Sequence, residues 1–408
     1  MMNLLIALVA LLAVITIARI VRILELVAEI SGEDTDTPIT PKDNKLNARL
    51  LLWFMILGLA AMVYMTIRYS KFMLPVSASE HGVQVDTLFD VNILIISVVF
   101  FLTQIMLFWF AFRYQHKKER KPLFYPENNK LEFIWTIIPT IVLAGIIIYG
   151  LNVWNNVTAA PKNETLNIEL YGKQFNWLVR YAGNDNKLGE SSYNLLSPAN
   201  EVGVVNAAAV DEQLTSISAE LAQAEESLSK VYNDEPEKRA ELEKSVRMYK
   251  SQLNAIRMIQ ERVKTEAGFA GSGDDDILTK ELYMPVNTEI TLHMRSQDII
   301  HSAYLPHFRV QMNCVPGMKT SFTFKPTITT AKMREITGNP KFDYVLLCNK
   351  ICGVAHYNMR ANVVVLEEAE YKKWLSQQKT IFSAENASPA PAAADSTSGE
   401  QAKPIAQN

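Results

Sequence analysis

The run Cys348-Asn349-Lys350-Ile351-Cys352-Gly353-Val354-Ala355-His356-Tyr357-Asn358-Met359 concentrates the soft metal-binding side chains of this sequence. Two thiols and an imidazole recur at four-residue steps, and a thioether follows. Thiolate, imidazole and thioether are soft or borderline donors, a set that suits copper. Thiolate sulfurs can bridge two metal ions, and imidazole and thioether can complete each. A two-copper site needs one more nitrogen, supplied by a distant strand. His301, in Ser296-Gln297-Asp298-Ile299-Ile300-His301-Ser302, is the candidate.

Three other readings of these residues stand beside that one. Cys348 and Cys352 could form a disulfide in an oxidising compartment, although so small a loop is awkward and leaves His356 and Met359 without a role. Cys and His could hold a structural zinc ion, although the usual cysteine spacing is shorter and Met is not a zinc ligand. A mononuclear copper site uses one Cys, two His and an axial Met, which leaves a thiol over. The third cysteine, Cys314, has no partner nearby in sequence and reads as a small buried apolar side chain. His293 alternates with Leu292 and Met294 and reads as solvated. His81, His116 and His307 read as lying outside the ligand set.

The elements that must position these residues follow from the rest of the chain. It has 408 residues and a net charge of −3, room for several domains and no basic field to attract nucleic acid. Residues 1–155 hold four apolar segments, at about 4–24, 50–67, 91–112 and 133–151. Crossing a bilayer takes roughly 20 apolar residues, so these predict four membrane helices. A cleaved signal peptide is the alternative for the first. Positive residues favour the cytoplasmic side. Arg113, Lys117, Lys118, Arg120, Lys121 and Lys130 fill the loop between the last two segments; Arg19 and Arg22 stand at the end of the first segment and Lys42, Lys45 and Arg49 follow it. The remaining loop has only Arg68 and Lys71. Placing the richer loops inside puts everything after Leu151 outside. A cleaved first segment would invert this, and no basic residue precedes Leu4.

Residues 160–382 predict a soluble domain. Apolar alternation over Thr165–Tyr181, and again at Ile290, Leu292 and Met294, at Phe322 and Phe324, at Tyr344 and Leu346, and at Val363 and Val365, reads as strands. Proline and glycine punctuate them, which suggests a β-sandwich or barrel. Between about 208 and 265 the period changes. Leu214, Ile217, Leu221, Ala224, Leu228 and Val231, then Leu242, Val246, Tyr249, Leu253, Ile256 and Val263, fall at helical spacing around a turn at Asn233–Pro236. This predicts an antiparallel helical hairpin inserted into the sandwich. Residues 383–408 are rich in Ala, Pro and Ser and read as a disordered tail. The expected fold class is an α+β membrane protein: transmembrane helices, then an all-β sandwich with an inserted α-helical hairpin.

The Cys-x3-Cys-Gly-x2-His-x2-Met run, Asp298-Ile-Ile-His301-Ser with the later Val315-Pro316-Gly317, Leu131-Glu132-Phe-Ile-Trp135-Thr136-Ile-Ile-Pro139, and Gly172-Lys-Gln174-Phe175-Asn-Trp177 resemble the cytochrome c oxidase subunit II family. The likeness runs from about Val91 to Trp374, apart from the hairpin. It implies a cupredoxin sandwich on the outer, periplasmic face of a bacterial inner membrane. It implies a binuclear copper centre, CuA, held by His301, Cys348, Cys352, His356, Met359 and the backbone carbonyl of Lys350. Electrons would come from cytochrome c, or an attached cytochrome subunit, and pass to haem in subunit I, where oxygen is reduced and protons are pumped. Glu132 would stand at the mouth of a proton path; its plainer reading is an acid favoured at a helix N-terminus.

The sequence departs from the family where Lys350 replaces a Glu, and where Phe175 replaces the Trp at which electrons enter. The Glu supplies a magnesium ligand in the family, and an ammonium cannot, so no magnesium is expected from this chain. Trp177 lies two residues beyond Phe175, and alternate residues on a strand share a face, so Trp177 would present its ring on the same side. Asn313, Met318, the two extra N-terminal segments and the hairpin are further departures. A metal-free quinol oxidase subunit would lack the five ligands. A nitrous oxide reductase would carry a second histidine cluster. A copper-storage protein would not need ligands spread over two strands.

Overall fold

In a computed structural model, residues 2–30, 41–117, 120–121, 123–161, 163–231 and 235–382 are described. The proposed tail at 383–408, Lys118 of the basic loop, and Asn233 and Asp234 of the hairpin turn lie outside them. The chain divides into two compact units, 1–74 with 90–146, and 75–89 with 147–408.

Four long helices account for the first region: α1 (Met2–Ile30), α2 (Pro41–Tyr69), α3 (Glu80–Arg113) and α4 (Asn129–Thr158). Three helices among the described residues, Pro41–Phe72, Glu80–Arg113 and Asn129–Thr158, are long and apolar enough to cross a membrane. A helix satisfies its backbone hydrogen bonds internally, which the bilayer demands. Each helix overruns its apolar segment, because charges at the ends do not interrupt the hydrogen-bond ladder. Helix α2, for example, begins nine residues before Leu50.

The second unit is a sandwich of two five-stranded sheets. One has the order β3 (Ile277–Thr279), β2 (Asn176–Tyr181), β1 (Leu166–Lys173), β5 (Ile290–Ser296), β8 (Thr320–Phe324). The other runs β4 (Leu282–Pro285), β10 (Arg360–Leu366), β9 (Tyr344–Cys348), β6 (His301–Leu305), β7 (Val310–Cys314). Alternate side chains from both sheets fill one core, among them Leu170, Trp177, Met294, Ala303, Leu346 and Val363, with Phe308 added from the turn after β6. The expected strand Thr165–Tyr181 is two antiparallel strands, with Gly172 opposite Trp177 and a turn at Gln174–Phe175. The insertion follows the second of these strands.

That insertion carries the expected hairpin, α5 (Ala207–Lys230) and α6 (Pro236–Thr265). Ala224, Val246, Leu253 and Ile256 are buried along its seam, whereas Val231 has already left the helix. The hairpin base has its own small core of Leu195, Val205, Val210, Ile256 and Phe269. A buried ionic group ties the insertion's end to the sheet. Arg180 pairs with Glu169 and, at 3.1 Å, with Asp276, and Arg295 reaches Glu169 at 2.8 Å. Buried charges are tolerated only when paired in this way.

Within the same unit, the start of α3 is fastened to the sandwich. The Ala78 N–H donates to the His307 carbonyl at 2.7 Å, and the Thr327 N–H to the Ala78 carbonyl at 2.8 Å. The Arg309 guanidinium grips Asp86 through two nitrogens, at 2.7 and 2.8 Å.

Candidate metal centre

Strand register brings the soft ligands together. Ala303 of β6 lies opposite Cys348 of β9. His301 is two residues from Ala303, so both face the same side as Cys348. The loop 349–359 then turns back from β9 into β10, carrying Cys352, His356 and Met359 over the same spot. The donor atoms of His301, Cys348 and Cys352 all lie within 4.8 Å of one another.

Around the two sulfurs, which are 4.0 Å apart, the other donors close in. Nδ1 of His301 is 3.9 Å from Cys348 Sγ. Nδ1 of His356 is 3.5 Å from Cys352 Sγ, and Met359 Sδ is 3.7 Å from it. The Cys348 thiol donates to the Lys350 carbonyl at 3.2 Å. His301, Cys352 and Met359 are almost wholly buried, Cys348 nearly so, and His356 is partly exposed. A disulfide would need the sulfurs at about 2 Å, and all three cysteines are free. The Met359 thioether points into the cluster, which argues against zinc. Two sulfurs flanked by two imidazoles, a thioether and a carbonyl fit copper. Burial, then Cys348, push the Cys352 thiol up to about 11, so an incoming ion must displace a proton there.

The supporting groups were mostly hidden from the sequence reading. Nε2 of His301 donates to Asp298 Oδ1 at 2.7 Å. Such a bond fixes the ring so that its other nitrogen can meet a metal. Asp298 also accepts from the backbone N–H groups of Gln174, at 2.7 Å, and Ile299, at 2.6 Å. Against the upward push of burial, these donors hold its carboxyl below the ordinary value. Gln174 donates through Nε2 to the Cys352 carbonyl at 2.5 Å. Gly172 passes so close beneath His301 that a Cβ there would stand 2.9 Å from the ring. Asp298 had a signal in sequence, an acid in the turn before His301. The glycine had none, since close approach depends on register.

Two expectations need correction. Phe175 and Trp177 do not share a strand face, because Phe175 lies in the turn that precedes β2. Phe175 sits in the turn, half-buried, its ring edge against Gly353 of the ligand loop. Trp177 is fully buried, its ring centroid 6.3 Å from that of His301. It presents no ring to a docking protein. His293 is not solvated: it is half-buried and bonded at 2.9 Å to Asn167. Cys314 is fully buried, opposite His301 in register. Glu132 lies in the first turn of α4, in the helical unit, with an exposed side chain.

Comparison with known proteins points to one family. The family model described as cytochrome c oxidase subunit II, transmembrane domain, matches residues 67–153. The model described as cytochrome c oxidase subunit II, periplasmic domain, matches residues 276–367. An alternative cytochrome c oxidase subunit 2 of Bradyrhizobium diazoefficiens is 27% identical over 299 residues, covering 73% of this chain and 81% of the relative. A cytochrome c oxidase subunit 2 of Cereibacter sphaeroides is 23% identical over 305 residues, covering 74% and 78%. The crystal structure of the periplasmic domain of a cytochrome oxidase subunit II from Bradyrhizobium japonicum aligns with 17% identity and a TM-score of 0.26, over 53% of this chain and 94% of that one. The two family models follow one another in chain order on either side of the insertion, and the chain belongs to the cytochrome c oxidase subunit II family.

Proposed function

We propose that this chain is where electrons enter its oxidase. With copper bound at His301, Cys348, Cys352, His356, Met359 and the Lys350 carbonyl, the centre would take electrons from a cytochrome c or an attached cytochrome subunit and hand them to haem in subunit I, where oxygen is reduced and protons are pumped. The observation that carries this is the pair of thiols with both imidazoles, the thioether and the carbonyl gathered around them. The sandwich holds these donors on strand ends and one short loop, so little need move when charge changes. Two coppers held by these residues would share the transferred electron, which would lower the reorganisation accompanying transfer. The test is the copper content of the purified chain, with loss of the signal in Cys348→Ser and Cys352→Ser.

Phe175, packed against Gly353 of the ligand loop, is proposed as the point at which electrons arrive, with Trp177 packing beside His301. Glu132 is proposed as the mouth of a proton path. Lys350 has an exposed side chain and offers no oxygen from it, so magnesium is not expected to be held by this chain. The sandwich is proposed to lie on the periplasmic side of a bacterial inner membrane, with α1 as a fourth span. Reporter fusions after Phe112 should then read cytoplasmic and fusions after Asn155 external; the reverse pattern would reject this topology.

A further inference from the structure

The turns at the metal end of the sandwich share an unusual surface. Ile351, Val354 and Tyr357 of the ligand loop are 86%, 93% and 88% exposed. Ile299 and Ile300, in the turn before His301, and Met318, in the turn between β7 and β8, are also exposed. In the two sheets and their connecting turns (166–181 and 277–366), Ile336 is the only other large apolar side chain exposed among the described residues. A soluble domain does not keep so many apolar side chains at one end without a partner for them.

The exposed charges on these turns are positive, and the carboxylates nearby are engaged. Lys319, Lys350 and Arg360 are exposed on these turns. Lys173 is held by Glu201 at 2.5 Å. The carboxylate native to these turns, Asp298, is spent inward on His301 and two backbone N–H groups. The rim around the apolar residues is therefore cationic.

Resting on the proposed function, we infer that this end docks an electron donor whose haem edge is apolar and rimmed by carboxylates, rather than one ringed by lysines. The exposed Ile, Val and Tyr side chains cover the haem edge and exclude water. Lys319 and Arg360 meet acids on the donor's rim. Complementary charge steers encounter and makes the rate depend on salt. A lysine-ringed donor meets the opposite field and is slowed at low ionic strength.

The experiment uses the purified oxidase containing this chain, after its copper content has been measured. Two probes with one haem are compared: a lysine-ringed cytochrome c, and the same protein with its ring lysines succinylated to carboxylates, each with its potential determined. Reduction of the copper centre is followed by stopped flow over a range of salt. The expected result is that the succinylated probe reacts about tenfold or more faster at low salt, and that this advantage fades as salt rises. Lys319→Glu should shrink it, and Val354→Asp should slow both probes while leaving the copper spectrum in place. Faster reaction of the lysine-ringed probe at low salt, or rates indifferent to probe charge and salt, would overturn the inference. So would a Val354→Asp chain that reacts normally but separates from the other subunits, since the patch would then belong to them. Absence of copper from the purified oxidase would instead reject the proposed function, before any donor is added.

Discussion

Asp298 Oδ1 accepts a hydrogen bond from His301 Nε2 at 2.7 Å, and so decides which nitrogen of that ring faces the cysteine sulfurs. The acid orients the ring of a proposed ligand. Replacing Asp298 by Asn keeps the shape and the oxygen but removes the charge. Copper affinity, measured by competition with a chelator, should fall by about 10–100-fold, with little change in the melting of the sandwich. An unchanged affinity would mean that packing alone orients His301.

Gly172 should be as sensitive for a steric reason. A Cβ at this position would lie 2.9 Å from Cδ2 and 3.0 Å from Cγ of the His301 ring. A ring held by Asp298 and packed near Trp177 has little room to retreat. Gly172→Ala should destabilise the domain by about 1–3 kcal/mol and reduce copper retention. Chemical denaturation with and without copper reads both effects. Full copper retention with native stability would show that β1 can shift away from His301.

His293 makes a prediction about pH. Burial, then the nearby Lys319, lower its pKa from 6.5 to about 4. Its folded value lies below its unfolded one, so the neutral ring contributes fully above pH 6.5, and this is lost as pH falls toward 4. Asp276 runs the other way. Burial raises it to about 7, so its contribution is present at low pH and fades as pH rises through 7. The clean measurement is a difference from wild type. His293→Gln should lose less stability between pH 6.5 and 4 than the wild type does, by on the order of 1–2 kcal/mol for a half-buried group. Parallel curves would show that His293 is freely protonated in the folded protein.

Much of the site was legible because it is local. Cys348, Cys352, His356 and Met359 lie on one loop, and the identity of a donor atom does not depend on the fold. His301 was legible by elimination, since a two-metal site lacked a nitrogen. The helical hairpin showed itself by period. Phe175 and Trp177 were misread because the tight turn at Gln174–Phe175 contains neither Pro nor Gly and left no mark on the alternation around it. Strands β3 and β4 have too few residues to show a pattern, and β6, which begins with His301, does not alternate in sequence, whereas the alternation of Val310, Met312 and Cys314 in β7 was passed over. The ionic group of Glu169, Arg180, Asp276 and Arg295 was invisible as well. Its members are up to 126 residues apart, and a charge in a strand ordinarily marks the wet face.

The central claim is that the cluster holds two coppers that share an electron. The most direct measurement is the copper-to-protein ratio of the purified oxidised chain together with its EPR spectrum. The account predicts two copper ions per chain, a purple colour and a hyperfine pattern from two equivalent copper nuclei, all abolished by Cys348→Ser or Cys352→Ser. One copper per chain with the hyperfine pattern of a single nucleus would contradict it.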